Sequence, residues 1–140
     1  MTATRLNPVS GVKGNAESSY RTGDVNITQA NIGITYTNGS ATKNSNANSG
    51  AFCYWRKYGR IVQCDCWATV ASAHAASTDK TYFTGLPKPV SELTCGTLAI
   101  SGGVAVARIN SSGSLIVQTR STAIAANNEF YGSFIYVSAS

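Results

Sequence analysis

Four cysteines, one histidine and six carboxylates are the residues of this chain equipped for thiol, metal or acid–base chemistry. Cys64 and Cys66 are separated by one residue, whereas zinc sites commonly space paired thiols as Cys-x₂₋₄-Cys. His74, the sole histidine, stands at no matching interval, so neither a metal nor any other cofactor is expected. On a single strand Cys64 and Cys66 would lie about 7 Å apart, too far for an easy disulfide. Cys53 to Cys64 is the cross-strand alternative, but buried free thiols acting as small hydrophobes are the expectation for a chain made in a cytoplasm. The carboxylates Glu17, Asp24, Asp65, Asp79, Glu92 and Glu129 include no close pair in sequence. A hydrolytic pair, roughly 5–9.5 Å apart, would have to join Asp65 to Glu92 or Glu129 in space. With no Ser-His-Asp context and no phosphate-binding glycine loop, the chain is not expected to be an enzyme.

Recognition chemistry is better provided. Tryptophan and tyrosine offer an apolar face with a polar handle, the combination that stacks on sugar rings and satisfies their hydroxyls. Trp67 falls on the strand face opposite the cysteines, and the segment from Ser72 to Lys80 adds His74, Asp79 and Lys80 as polar groups suited to hydroxyl recognition. Trp55, Phe130, Phe134 and Tyr136 read instead as core. The net charge of +5 comes from scattered basic residues, and the one cluster, Arg56-Lys57 with Arg60, brackets a turn. Nucleic-acid binders concentrate such charge on one face, so no nucleic-acid partner is expected. No segment approaches the roughly 20 apolar residues of a membrane span, and no signal-peptide pattern follows Met1. A soluble protein made in a cytoplasm, without membrane insertion, is the expectation.

The elements that must position these groups are strands. Charged residues make up only 12% of the chain, and Ser, Thr, Asn and Gly carry its polarity, a balance that favours strands and turns. At 140 residues a single domain is expected, with residues 1–33 as an N-terminal stem and residues 34–140 as a β-sandwich head. Ile34 to Thr37 running into Asn38-Gly39 reads as a hairpin, followed by a polar, exposed and mobile loop from Lys43 to Gly50. "AFCYWRK" and "RIVQCDCWATVA" flank Tyr58-Gly59 as a long hairpin. With those two as the loop, Cys53 would face Cys64 and Trp55 would face Val62. In the second arm Val62, Cys64, Cys66, Ala68 and Val70 share one face, and Ile61, Gln63, Asp65, Trp67 and Thr69 share the other. "TYFTGLP", "CGTLAIS", "VAVARIN", "SLIVQT" and "EFYGSFIYVS" complete a set of about seven or eight strands.

The segment "VNITQANIG" resembles a short motif that recurs in phage and prophage tail fibres, through Val25, Ile27, Thr28, Asn31, Ile32 and Gly33. The second half resembles the C-terminal head domains of those fibres. The matching parts are the aromatic hairpin from Tyr54 to Val62, Leu86-Pro87 with Pro89, the pair Ala105 to Val117 across Asn110–Gly113, and the closing strand Tyr131 to Val137. The chain departs from the pattern in having only Lys88 between its prolines, where a Gly-Tyr-Arg run is usual. The resemblance implies an antiparallel jelly-roll-like β-sandwich that assembles as a homotrimer in the virion tail. It implies attachment to a bacterial surface glycan by non-covalent binding, alongside other tail or baseplate proteins. Val25, Ile27 and Ile32 would then contact sister chains, with Thr28 capping one helical turn that Gly33 ends. A structural fibre or trimerisation module without its own ligand site is the alternative, and an envelope depolymerase a third.

Overall fold

The computed structural model describes residues 34–92 and 94–140. The stem expected over 1–33, with its contacts at Val25, Ile27 and Ile32, lies outside the described residues. Alternation of apolar and polar residues dominates the described part, and it forms an all-β, antiparallel structure with no helix among those residues. In chain order the strands are β1 (Tyr36–Ser40), β2 (Thr42–Lys43), β3 (Phe52–Tyr58), β4 (Ile61–Thr69), β5 (Asp79–Thr84), β6 (Thr94–Ile100), β7 (Gly103–Ile109), β8 (Leu115–Gln118) and β9 (Glu129–Val137).

All nine join one sheet in the order β1-β3-β4-β9-β6-β7-β8-β5-β2. Its two end strands are consecutive in the chain, so the sheet curls until it nearly closes. Ala41 makes the crossing: its N–H still bonds Cys53 O at 2.8 Å, while Thr42 and Lys43 already pair with Thr84 and Phe83. One segment thereby caps both ends of the sheet. The longest ladder pairs β4 with β9, in register over nine residues from Glu129↔Thr69 to Val137↔Ile61.

The inner face is built by matching small residues to large ones. Along β4, Cys64, Cys66 and Ala68 lie beside Phe134, Gly132 and Phe130 of β9. Ala105 and Ala107 of β7 are likewise buried, so aromatic rings fill the space that thiols and methyls leave. Tyr82 meets Phe130 edge-on at 4.8 Å. A bulge between Thr81 and Phe83 breaks the strand alternation and lets consecutive Tyr82 and Phe83 both be buried. Each such buried side chain contributes about 1.5–3 kcal/mol relative to exposure.

Three local readings are corrected by this fold. Asn38-Gly39 makes no hairpin; both residues lie inside β1, opposite Arg56 and Trp55. Gly39 does not adopt a positive φ, and its role is space: a Cβ there would come within 2.7 Å of Trp55 Cζ2. The β3–β4 turn is Gly59-Arg60, not Tyr58-Gly59, because Tyr58 pairs with Ile61. Gly59 takes φ +60°, and a two-residue turn with glycine at its first central position accommodates that angle. Moving the turn by one residue shifts every partner by two, so Cys53 faces Cys66 and Trp55 faces Cys64, while the division of residues between faces is preserved. Finally, the loop after Lys43 is pinned. Ala47 is buried and bridges Val70, Asn44 N–H bonds Tyr82 O, and Asn46 Nδ2 donates to Thr81 O at 2.8 Å.

Candidate functional site: an aromatic row on the outer sheet face

The register of β3, β4 and β9 gathers four aromatic side chains on the outer face. Phe52 lies across from Trp67, and Trp67 lies across from Tyr131. Phe52 and Tyr54, alternate residues of β3, stack with centroids 4.9 Å apart and planes at 23°. Phe52 and Trp67 continue the row at 6.2 Å and 26°. Trp67 and Phe52 are half-buried in this row, whereas Tyr54 and Tyr131 remain 52% and 55% exposed. The rings stack on one another in a row along the outer face, with Tyr54 and Tyr131 the most open to solvent.

Polar groups border the strip. Trp67 Nε1 donates to Glu129 Oε1 at 2.6 Å, which fixes the indole on the sheet. Asp65, next along β4 on the same face, accepts from Ser133 Oγ at 2.6 Å and from Arg56 Nη1 at 2.9 Å. The Ser133 hydroxyl and the Arg56 guanidinium hold the Asp65 carboxyl below the usual carboxylate range. Asp65 and Glu129 pair with Ser133 and Thr69, four positions apart along one ladder, so their backbones stand roughly 13 Å apart.

The strip runs past Tyr54 into an open cleft at the end of the sheet, lined by Tyr36, Asn38, Ser40, Tyr54, Trp55 and Arg56. Tyr36 and Tyr58 approach at 4.9 Å on its rim, and Asn38 Nδ2 donates to Tyr36 Oη. Trp55, on the inner side of β3, reaches the cleft because Gly39 leaves its ring uncovered by a side chain. Its Nε1 is buried and has no acceptor among the described residues.

The residues expected to bind ligand are dispersed by this geometry. Trp67 sits in the aromatic row, on the outer face as expected. His74 is fully buried, with Nε2–H donating to Thr78 O and Nδ1 accepting from Tyr82 Oη, both at 3.1 Å. Burial pushes its pKa down, and the imidazole is spent on tying its loop to β5. The segment around it is therefore anchored at its centre, and His74, expected to recognise hydroxyls, is corrected to a buried structural group. Asp79 pairs with Arg108 Nη2 at 2.6 Å, and Lys80 Nζ donates to Ala73 O at 2.9 Å. Both belong to β5, which the four strands β9, β6, β7 and β8 separate from β4, so the sheet order does not bring them beside Trp67.

Phe52, Tyr54, Tyr131 and Glu129 were not singled out in the sequence as binding groups. The signal for them lies in the same alternation that put the cysteines inward: Phe52 and Tyr54 flank Cys53, and Tyr131 follows Phe130. Combining the two strand faces with the hairpin register would have placed them around Trp67. Described residues include no cluster of metal-binding side chains. No protein-family model matches the chain, and a search of curated proteins finds no match.

Proposed function

We propose that this chain is the head of a phage or prophage tail fibre, attaching the virion tail to a bacterial surface by non-covalent binding of envelope glycan. In this reading the nearly closed sheet is a jelly-roll-like sandwich, and three copies assemble beside other tail or baseplate proteins. The observation that carries the proposal is the row Tyr54–Phe52–Trp67, stacked at 4.9 and 6.2 Å on an open face. Sugar rings pack their C–H faces on such rings, and each aromatic retains a polar neighbour for hydroxyls. Arg56 and Ser133 are donors, while Asp65 and Glu129 accept, all within the same face. Individual sugar contacts are weak, and three linked heads would raise avidity by about 10²–10⁴ without new contacts. Retention on an array of bacterial envelope glycans tests the reading, and absence of retention on every envelope type would sink it.

A second reading, a fibre or trimerisation module without a ligand site, is favoured by a different feature. Ile61, Val137 and Ile135 stand exposed on the same outer face, toward the β3–β4 turn, beside exposed Tyr58. Aliphatic β-branched residues have no polar handle for a sugar and suit a subunit contact. The two readings divide the face between them, aromatic at one end and aliphatic at the other. Light scattering of the full chain tests the assembly, for which a single-chain mass would be fatal.

A further inference from the structure

The inner face of the same hairpin holds three thiols. Cys53, Cys64 and Cys66 are all buried and free, two of them on β4 facing the β3 ladder that carries Cys53. The register separates these two partners. Cys53 is directly opposite Cys66, whereas Cys64 is opposite Trp55 and only diagonal to Cys53.

The ladder pattern adds a second distinction. With Gly59-Arg60 as a two-residue turn, Tyr58 and Ile61 form the first hydrogen-bonded pair, and bonded and non-bonded pairs alternate from there. Cys53 and Cys66 fall on a non-bonded pair. The Cys53 carbonyl agrees, since it accepts from Ala41 N at 2.8 Å on the β1 side, away from β4. Residues in non-bonded pairs have Cα atoms about 4.5 Å apart, inside the roughly 4.4–6.8 Å that a disulfide spans. A diagonal pair is roughly 7–8 Å apart and would need backbone movement.

We infer that Cys53 and Cys66 are a latent disulfide pair, which a low-molecular-weight disulfide such as oxidised glutathione closes, locking the hairpin that carries the aromatic row. The reaction is two thiol–disulfide exchanges. One cysteine thiolate attacks a sulfur of oxidised glutathione, forming a mixed disulfide and releasing one glutathione thiolate. The second cysteine thiolate then attacks the protein-side sulfur of that mixed disulfide and releases the other glutathione. The protein loses two protons and two electrons, and the oxidant leaves as two molecules of reduced glutathione. Contacts with Cys64 and Cys66, together with burial, push the Cys53 thiol far up, so the closed hairpin reacts slowly. Exchange therefore proceeds through local opening of β3, which only β1 separates from the end of the sheet.

The test equilibrates reduced full-length protein in glutathione buffers of rising oxidised fraction, with sub-denaturing urea to speed opening. Remaining thiols are alkylated, and peptides are mapped by mass spectrometry without reduction. The expected product has lost two of its four alkylatable thiols, joins the Cys53 and Cys66 peptides, and has a higher urea midpoint. Cys64→Ala should preserve the link and Cys66→Ala should remove it. Four alkylatable thiols at every buffer ratio, or a main product linked through Cys64 or Cys95, would overturn the inference. Because the wild-type map decides between these outcomes, a misfolded variant does not obscure the result.

Discussion

Trp67 and Glu129 are joined across the sheet by a 2.6 Å hydrogen bond from the indole Nε1 to Oε1. Glu129 opens β9 opposite Thr69, two residues beyond Trp67 on β4, so the bond is diagonal and draws the indole along the strand. An outward tryptophan is ordinarily free to rotate; here its polar edge is tethered and its ring lies at 26° to Phe52. A π-face held in advance loses little side-chain entropy when a ligand stacks on it. Glu129→Gln keeps an acceptor, whereas Glu129→Ala releases the ring, so the two variants separate orientation from charge.

Tyr54 is the member of the row most open to solvent apart from Tyr131, and its ring stacks only on Phe52 among the described aromatic pairs. Tyr54→Ala is expected to lower retention on envelope glycans about tenfold or more, since truncating a central aromatic anchor commonly costs over 1 kcal/mol of binding. Its effect on folding should stay within about 0.5 kcal/mol, as for other surface substitutions. Glycan retention measured beside urea unfolding checks both halves of this expectation.

Gly39 faces Trp55 in the ladder and has no room for a methyl group at 2.7 Å from Cζ2. Gly39→Ala should therefore push the half-buried indole from its place and destabilise the domain by about 1–3 kcal/mol, the range for overpacking. Asn38→Ala, on the exposed side of the same strand, should stay within about 0.5 kcal/mol. A turn-forming Asn-Gly would give a different contrast, with loss at both positions. Urea midpoints of the two variants decide it.

Strand alternation was legible in the sequence because one face of each long strand is buried and the other is wet, so β4 and β9 were assigned the correct faces residue by residue. Register was less legible. Tyr58-Gly59 and Gly59-Arg60 both preserve the pattern of buried residues, and the pairing of Tyr58 with Ile61 distinguishes them. Asn38-Gly39 misled for a related reason: local turn chemistry is overridden when the glycine is needed for a neighbour's ring. His74 was misplaced because nothing in "SAHAASTDK" signals burial; its partners, Tyr82 and Ile124, come from other parts of the chain.

His74 gives the domain an acid-sensitive point. Its pKa is lowered chiefly by burial, with Lys80 lowering it further and the Thr78 carbonyl and Asp79 acting in the opposite sense. The neutral ring already satisfies Tyr82 and Thr78, and protonation places a charge in the core. A depressed folded-state pKa means the unfolded chain takes up this proton first. The contribution to stability is then complete above the unfolded value of about 6.5 and is lost as pH falls from there through the folded value. Urea midpoints should decline between about pH 7 and pH 5 in the wild type, and more gently in His74→Gln, which titrates no group at this position.

Ile135 is 72% exposed at the aliphatic end of the face, and it neighbours Gln63 on β4 while Val137 neighbours Ile61. Such residues on a solvated sheet gain nothing from the domain's own core, so their apolar area is available for a contact between copies. If three chains meet there, Ile135→Glu places a charge in the contact and leaves each fold intact. The apparent mass by light scattering should then fall from three chains to one, while the urea midpoint of the isolated domain moves by less than about 0.5 kcal/mol in free energy. Glycan retention should fall with it, through lost avidity and not through the aromatic row, which the substitution does not touch. Retention on a surface so sparse that only one head binds at a time would therefore be unchanged. A substitution that leaves the mass at three chains would move the subunit contact away from this end of the face.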